Sequence, residues 1–134
     1  MPAAGGAEGL VAFRVVDDRA IPASLTGRPG NAQRGREIAA DRSLGNCVAC
    51  HAMPVAVPLQ GNVGPDLKGV AGRLTEGELR LRVVNPRILN ALSAMPAYYR
   101  VDGLYRVRKD LQGKPILDAD QVEDVVAFLL TLKD

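Results

Sequence analysis

A chain of 134 residues, 47% of them apolar and with a formal net charge of only +2, is sized for one domain around a single core. It has no unbroken apolar run of the roughly 18 residues a membrane-spanning helix needs, which excludes such a span. Two Phe, three Tyr and no Trp, widely scattered, argue against nucleic-acid binding by base stacking. They also leave core space that a large flat apolar cofactor would fill.

Residues 1–30 read as an irregular N-terminal arm. Val11, Phe13 and Val15 alternate in one short strand-like stretch, and Ile21-Pro22, Gly27, Pro29 and Gly30 then break any regular pattern. Asn31 can cap a first helix over about 32–42, with Ile38 and Ala39 facing inward. Gly35 inside that helix costs about 1 kcal/mol relative to Ala and makes sense where another helix crosses closely. Residues 43–73 read as loop. Thr75-Glu76-Gly77-Glu78 is a capping box with Leu74 and Leu79 at the staple positions, so a second helix runs from there to about Asn85, before Pro86. A short helical stretch can follow over 86–91. Asp118 and Gln121 form another capping box, with Leu117 and Val122 as its staple. Val122, Val125, Val126, Leu129 and Leu130 then form one helical stripe, flanked by Phe128 and expected to pack near Gly35. The predicted division is an arm over 1–30 and a helical domain over 31–134.

Charge is uneven along this order. Residues 80–114 carry eight basic groups (Arg80, Arg82, Arg87, Arg100, Arg106, Arg108, Lys109 and Lys114) against Asp102 and Asp110. Residues 115–134 carry five acidic groups against Lys133. A basic belt beside an acidic tail suits a charged partner, although a single surface charge is more often simply solvated.

The chemistry is concentrated in Cys47-Val48-Ala49-Cys50-His51, a C-x-x-C-H motif of the kind that attaches c-type haem. Two thiols at this spacing can each form a thioether to one porphyrin, and the adjoining imidazole then offers nitrogen to iron. His51 is the only histidine. Structural zinc needs four N or S ligands, and these three stand alone. A thioredoxin-like pair needs a βαβ setting that is absent here, and a plain Cys47–Cys50 disulfide leaves His51 unexplained.

The second axial ligand is expected to be Met95. Met1 is terminal, and Met53 is too near His51 to reach the opposite face, whereas Met95 lies in Ser93-Ala94-Met95-Pro96, where proline stiffens the loop. Tyr98, Tyr99 and Lys68 are the alternatives, and a buried gap-filling methionine is the structural reading. A neutral thioether favours ferrous iron and raises the potential, which suits an electron carrier. In Gly64-Pro65-Asp66-Leu67, the Pro65 carbonyl can accept the His51 Nδ1–H, and Arg73 can pair with a haem propionate.

Gly64-Pro65-x-Leu67-x-Gly69-x-x-Gly72-Arg73 after C-x-x-C-H resembles the class I cytochrome c pattern, as does the Gly35 helix paired with a C-terminal helix. The resemblance implies an all-α class I cytochrome c fold, with crossed N- and C-terminal helices around one covalently bound haem c. Further segments are similar to the SoxX family. They are Ile21-Pro22-Ala23-Ser24-Leu25-Thr26-Gly27, Arg34-Gly35, Gly61-Asn62-Val63-Gly64-Pro65, Met95-Pro96 with Tyr98-Tyr99-Arg100, and Gly113-Lys114-Pro115-Ile116-Leu117. The likeness spans about 20–134. Ala39 departs from related cytochromes, which often place an aromatic there.

SoxX is the mono-haem subunit of the sulfur-oxidising SoxAX complex. The family implies a heterodimer with a haem-bearing SoxA subunit in the periplasm, joining thiosulfate to a cysteine of the SoxYZ carrier with release of two electrons. The catalytic sulfur belongs to SoxA, and the SoxX haem passes electrons to a downstream cytochrome. No secretory signal is visible, so the chain is expected to be a mature form with its signal removed. The arm is the expected partner contact. A stand-alone periplasmic shuttle serving an oxidase or dehydrogenase is the alternative function.

Overall fold

The computed structural model describes residues 10–100 and 115–133. Within them lie α1 (Ala32–Ala40), α2 (Glu76–Val84) and α3 (Ala119–Leu130), with single 3-10 turns at Cys47–Ala49, Val70–Gly72 and Pro86–Ile88. The described residues hold no strand. The Val11–Val15 alternation forms none, and an isolated bridge joins Val16 to Ala20 instead.

The caps form where their side chains predict. Asn31 accepts the Arg34 amide at 2.9 Å. Thr75 Oγ1 accepts the Glu78 amide at 3.2 Å while Glu78 accepts the Thr75 amide at 2.8 Å, and Asp118 and Gln121 make the same reciprocal pair. α1 stops at Ala40, two residues short of the expected end. Asp41 leaves helical geometry, and its carboxylate instead takes the Ser43 amide and hydroxyl at 2.8 and 2.6 Å.

α1 crosses α3 at Gly35, as expected. A Cβ there would lie 1.8 Å from the Asp124 carbonyl oxygen and 2.9 Å from Phe128 Cβ, so only glycine permits the approach. Phe128 is therefore part of the crossing rather than a flank of the stripe. Val122, Val125, Val126 and Leu129 enter one core with Ile38, Ala39, Leu79, Leu81, Val84 and Tyr99.

The segment before α1 is irregular but firmly tied. Ile21 and Leu25 are buried in the core, and the Ile21 amide donates to the Gly77 carbonyl at 2.9 Å. The chief tie is Arg80, which reads as one charge of a basic surface belt and is instead 1% exposed. Its Nε and Nη2 each meet a Glu123 carboxylate oxygen at 2.8 Å, Nη2 also meets Glu76 at 2.5 Å, and Nη1 donates to the Ile21 and Pro22 carbonyls at 2.8 and 3.2 Å. Burial alone would lower the Arg80 pKa. The Glu123 and Glu76 carboxylates outweigh it and hold the guanidinium charged. Glu123 completes the cluster by accepting the Leu25 amide at 3.1 Å. Of the other belt residues, Arg87 is exposed and Arg82 and Arg100 are half-buried. Arg106, Arg108, Lys109 and Lys114 lie outside the described residues, as do Met1 and the first part of the arm.

Candidate haem-binding site

Asn46, in left-handed geometry at φ +51°, turns the chain out of the post-α1 loop and into the 3-10 turn at Cys47. The Cys50 and His51 amides both donate to the Cys47 carbonyl, at 3.2 and 2.9 Å, so the two thiols and the imidazole share one tight turn. Val48, fully buried, roots that turn in the core. Cys47 and Cys50 are unpaired and half-buried. Burial pushes the Cys47 thiol up to about 11, which is the reverse of the exposed, acidic thiol that disulfide exchange requires.

His51 is oriented by the loop that follows. Its Nδ1 lies 2.7 Å from the Pro65 carbonyl oxygen. A carbonyl only accepts, so Nδ1 carries a proton, and in the neutral ring that tautomer leaves the Nε2 lone pair for a metal. The loop is laced along the motif by three amide bonds, Gly61 to the Val48 carbonyl at 2.8 Å, Gly64 to Cys50 at 2.7 Å and Leu67 to Ala52 at 2.9 Å. Gly64 lies against the imidazole itself, where a Cβ would stand 2.3 Å from His51 Cε1. Gly64 was legible only as part of a Gly-Pro turn; its contact with the ring was not. Arg73 is exposed and folds back on this loop, donating to the Lys68 and Asp66 carbonyls at 2.9 and 3.0 Å. A propionate would compete with those two bonds.

Met95 is half-buried on the loop between α2 and the tyrosine pair, and its amide donates to Ser93 Oγ at 3.2 Å. Met53 is buried in the core, with its amide on Gln60 Oε1 at 2.8 Å. Both competing tyrosines have their hydroxyls engaged. Tyr98 donates to the Gly45 carbonyl, and Tyr99 accepts the Val11 amide at 2.6 Å. Burial, with Cys47 and Cys50 close by, pushes the Tyr98 hydroxyl well above its ordinary range and keeps it a donor. The link from Tyr98 to Gly45 joins residues far apart in the chain, and nothing in the local sequence announces it.

Two unpaired thiols, an imidazole tied at Nδ1 with Nε2 left for a metal, and a glycine-cleared ring face fit a covalently held haem. The cytochrome c family model matches residues 32–133, beginning at the first residue of α1. The chain belongs to the cytochrome c family. Within that family it is of the SoxX type. A chain in the crystal structure of SoxXA from P. pantotrophus is 44% identical, with a TM-score of 0.82 over 91% of this cytochrome and 95% of that chain. Comparison with curated proteins gave no match. The cytochrome carries one haem c, through Cys47 and Cys50, and the expected class I fold with its crossed terminal helices is the fold found.

Proposed function

We propose that this cytochrome is the small, haem-bearing subunit of a SoxXA-type complex. It takes up and relays electrons released when thiosulfate is joined to a carrier cysteine. The likeness to the SoxXA chain over nearly the whole of both chains carries this reading. The bound haem supplies a reversible one-electron centre.

The chain's own residues hold and tune that centre. Cys47 and Cys50 are consumed as thioethers, so neither serves as a catalytic sulfur, and that sulfur belongs to the SoxA-type partner. His51 offers Nε2 while Pro65 makes its ring electron-rich. Met95 would supply a neutral thioether as the second ligand, which would keep the potential high. Arg73 braces the Pro65 loop and would exchange those bonds for a haem propionate. Leu59 and Leu92, each 92% exposed, and Val63 at 75% stand on the loops that flank these ligands and suit contact with a bound subunit. The arm over 1–30 is the segment we assign to partner contact, beside the domain over 31–134, although Ile21 and Leu25 of that segment are buried in the domain's own core. The finer reading is a periplasmic complex that meets SoxYZ transiently and delivers electrons to a downstream cytochrome.

Co-expression with a SoxA-type subunit in a host competent for cytochrome maturation tests the assignment. The two haem proteins should stay together through high-salt chromatography. Recovery of this cytochrome alone would return it to the class of free shuttles. Met95→Ala should abolish the weak sulfur-to-iron absorption band at the red edge of the visible spectrum and lower the reduction potential. An unchanged spectrum assigns the position to another residue.

A further inference from the structure

Met95 stands on a loop whose two ends are fixed very differently. On the N-terminal side the ties are local. The Leu92 amide meets Asn90 Oδ1 at 3.0 Å, the Ser93 amide meets the Asn90 carbonyl at 3.0 Å, and the Met95 amide meets Ser93 Oγ at 3.2 Å. On the C-terminal side three ties meet at Tyr98. Its amide donates to the Val83 carbonyl in the last turn of α2 at 3.1 Å, and its carbonyl accepts the Leu117 amide on the approach to α3 at 3.0 Å. Its ring is buried, and its hydroxyl donates to the carbonyl of Gly45, two residues before Cys47. One side chain thus joins the segment bearing Met95 to the segment bearing the haem attachment and His51. That connection is made through protein alone.

We propose that Tyr98 is the positioning residue for Met95, with Ser93 as its weaker counterpart, because the Tyr98–Gly45 bond fixes the spacing between the two ligand-bearing segments. The proposal rests on the reading of Met95 as the axial ligand. The physical consequence concerns competition. A small ligand that binds iron in place of the thioether can do so only when the Met95 loop is displaced, so its apparent affinity is scaled by the displaced fraction. Removing one hydrogen bond that favours the docked loop should raise that fraction about fivefold, the equivalent of roughly 1 kcal/mol. Tyr99 provides the internal control. Its amide also bonds to α2, at the Val84 carbonyl at 3.2 Å, but its hydroxyl faces the arm at Val11 and its ring meets Phe13 at 6.4 Å.

The experiment is an imidazole titration of the ferric holoprotein, followed by absorbance, with urea unfolding measured beside it. Tyr98→Phe should bind imidazole about fivefold more tightly than wild type and Ser93→Ala about twofold. Tyr99→Phe should lose comparable stability to urea yet keep the wild-type imidazole affinity. In a Met95→Ala background imidazole should bind far more tightly, and Tyr98→Phe should then add nothing. Wild-type affinity in Tyr98→Phe or in Ser93→Ala, or an equal shift in Tyr99→Phe, overturns the proposal. If Tyr98→Phe gives too little holoprotein to titrate, Ser93→Ala against Tyr99→Phe decides. If Met95→Ala itself leaves imidazole affinity unchanged, the ligand assignment is what fails, and the positioning role falls with it.

Discussion

The helical scaffold and the ligand-bearing loops are held by different means. The scaffold is close packing: α1 meets α3 backbone to backbone across Gly35, and a buried ion cluster at Arg80 draws in α2, α3 and the chain before α1. The loops anchor only a few side chains in that core, Val48, Met53 and Tyr98 among them. Otherwise they are held by single hydrogen bonds from backbone amides, one imidazole and one tyrosine hydroxyl to particular carbonyls, such as Gly64 to Cys50, His51 Nδ1 to Pro65 and Tyr98 to Gly45. Packing resists distortion because many contacts share the load. Single bonds set one distance each and can be altered singly. Stability and redox tuning should therefore separate by region.

The largest test of that separation is Glu123→Ala. It leaves the Arg80 guanidinium buried without its bidentate partner and should cost about 3–5 kcal/mol in urea unfolding. Whatever holoprotein folds should keep a wild-type visible spectrum. Gly35→Ala comes next. The added methyl must push α3 away from α1, at about 1–3 kcal/mol, again with little spectral change. A changed axial spectrum in either variant would break the division.

Gly64→Ala sharpens the comparison from the other side. Its methyl forces the His51 ring off the Pro65 carbonyl. The imidazole becomes less electron-rich, so the reduction potential should rise, on the order of 40 mV for the loss of about 1 kcal/mol, while the urea midpoint moves little. The smallest effect is acid sensitivity of the α2 cap. The Thr75 amide, chiefly, holds the Glu78 carboxyl below its ordinary value, so the cap's contribution is present above the unfolded pKa of about 4.3 and is lost as pH falls through the lower folded value. Melting temperature should decline below about pH 4.5, and Glu78→Gln should make that decline shallower.

The parts legible in the sequence were those whose signal is local. Both capping boxes, the Gly35 crossing, the C-x-x-C-H turn and the Pro65 carbonyl depend on residues close together in the chain or on a steric demand only glycine meets. The rest depends on partners that arrive from afar. Arg80, in a run of basic residues, reads as solvated surface; only Glu123 and the Ile21 carbonyl, brought in by the fold, make it a core residue. Tyr98 could be a ligand by composition, and its role emerges only once Gly45 stands opposite. The Val11–Val15 alternation misled for the same reason. Its apolar residues lie along Tyr99 instead of pairing with a strand, as the Val11 amide and the Phe13 ring show.

The crossing at Gly35 also bears on the order of events during biogenesis. Gly35 and its partners Asp124 and Phe128 lie on either side of the Cys47–His51 turn in the chain, so their contact closes a long loop that contains both sulfurs. Contacts of such wide separation are slow to form. In the closed fold, burial raises the pKa of the Cys47 thiol. Thioether formation is therefore easier while that loop is still open.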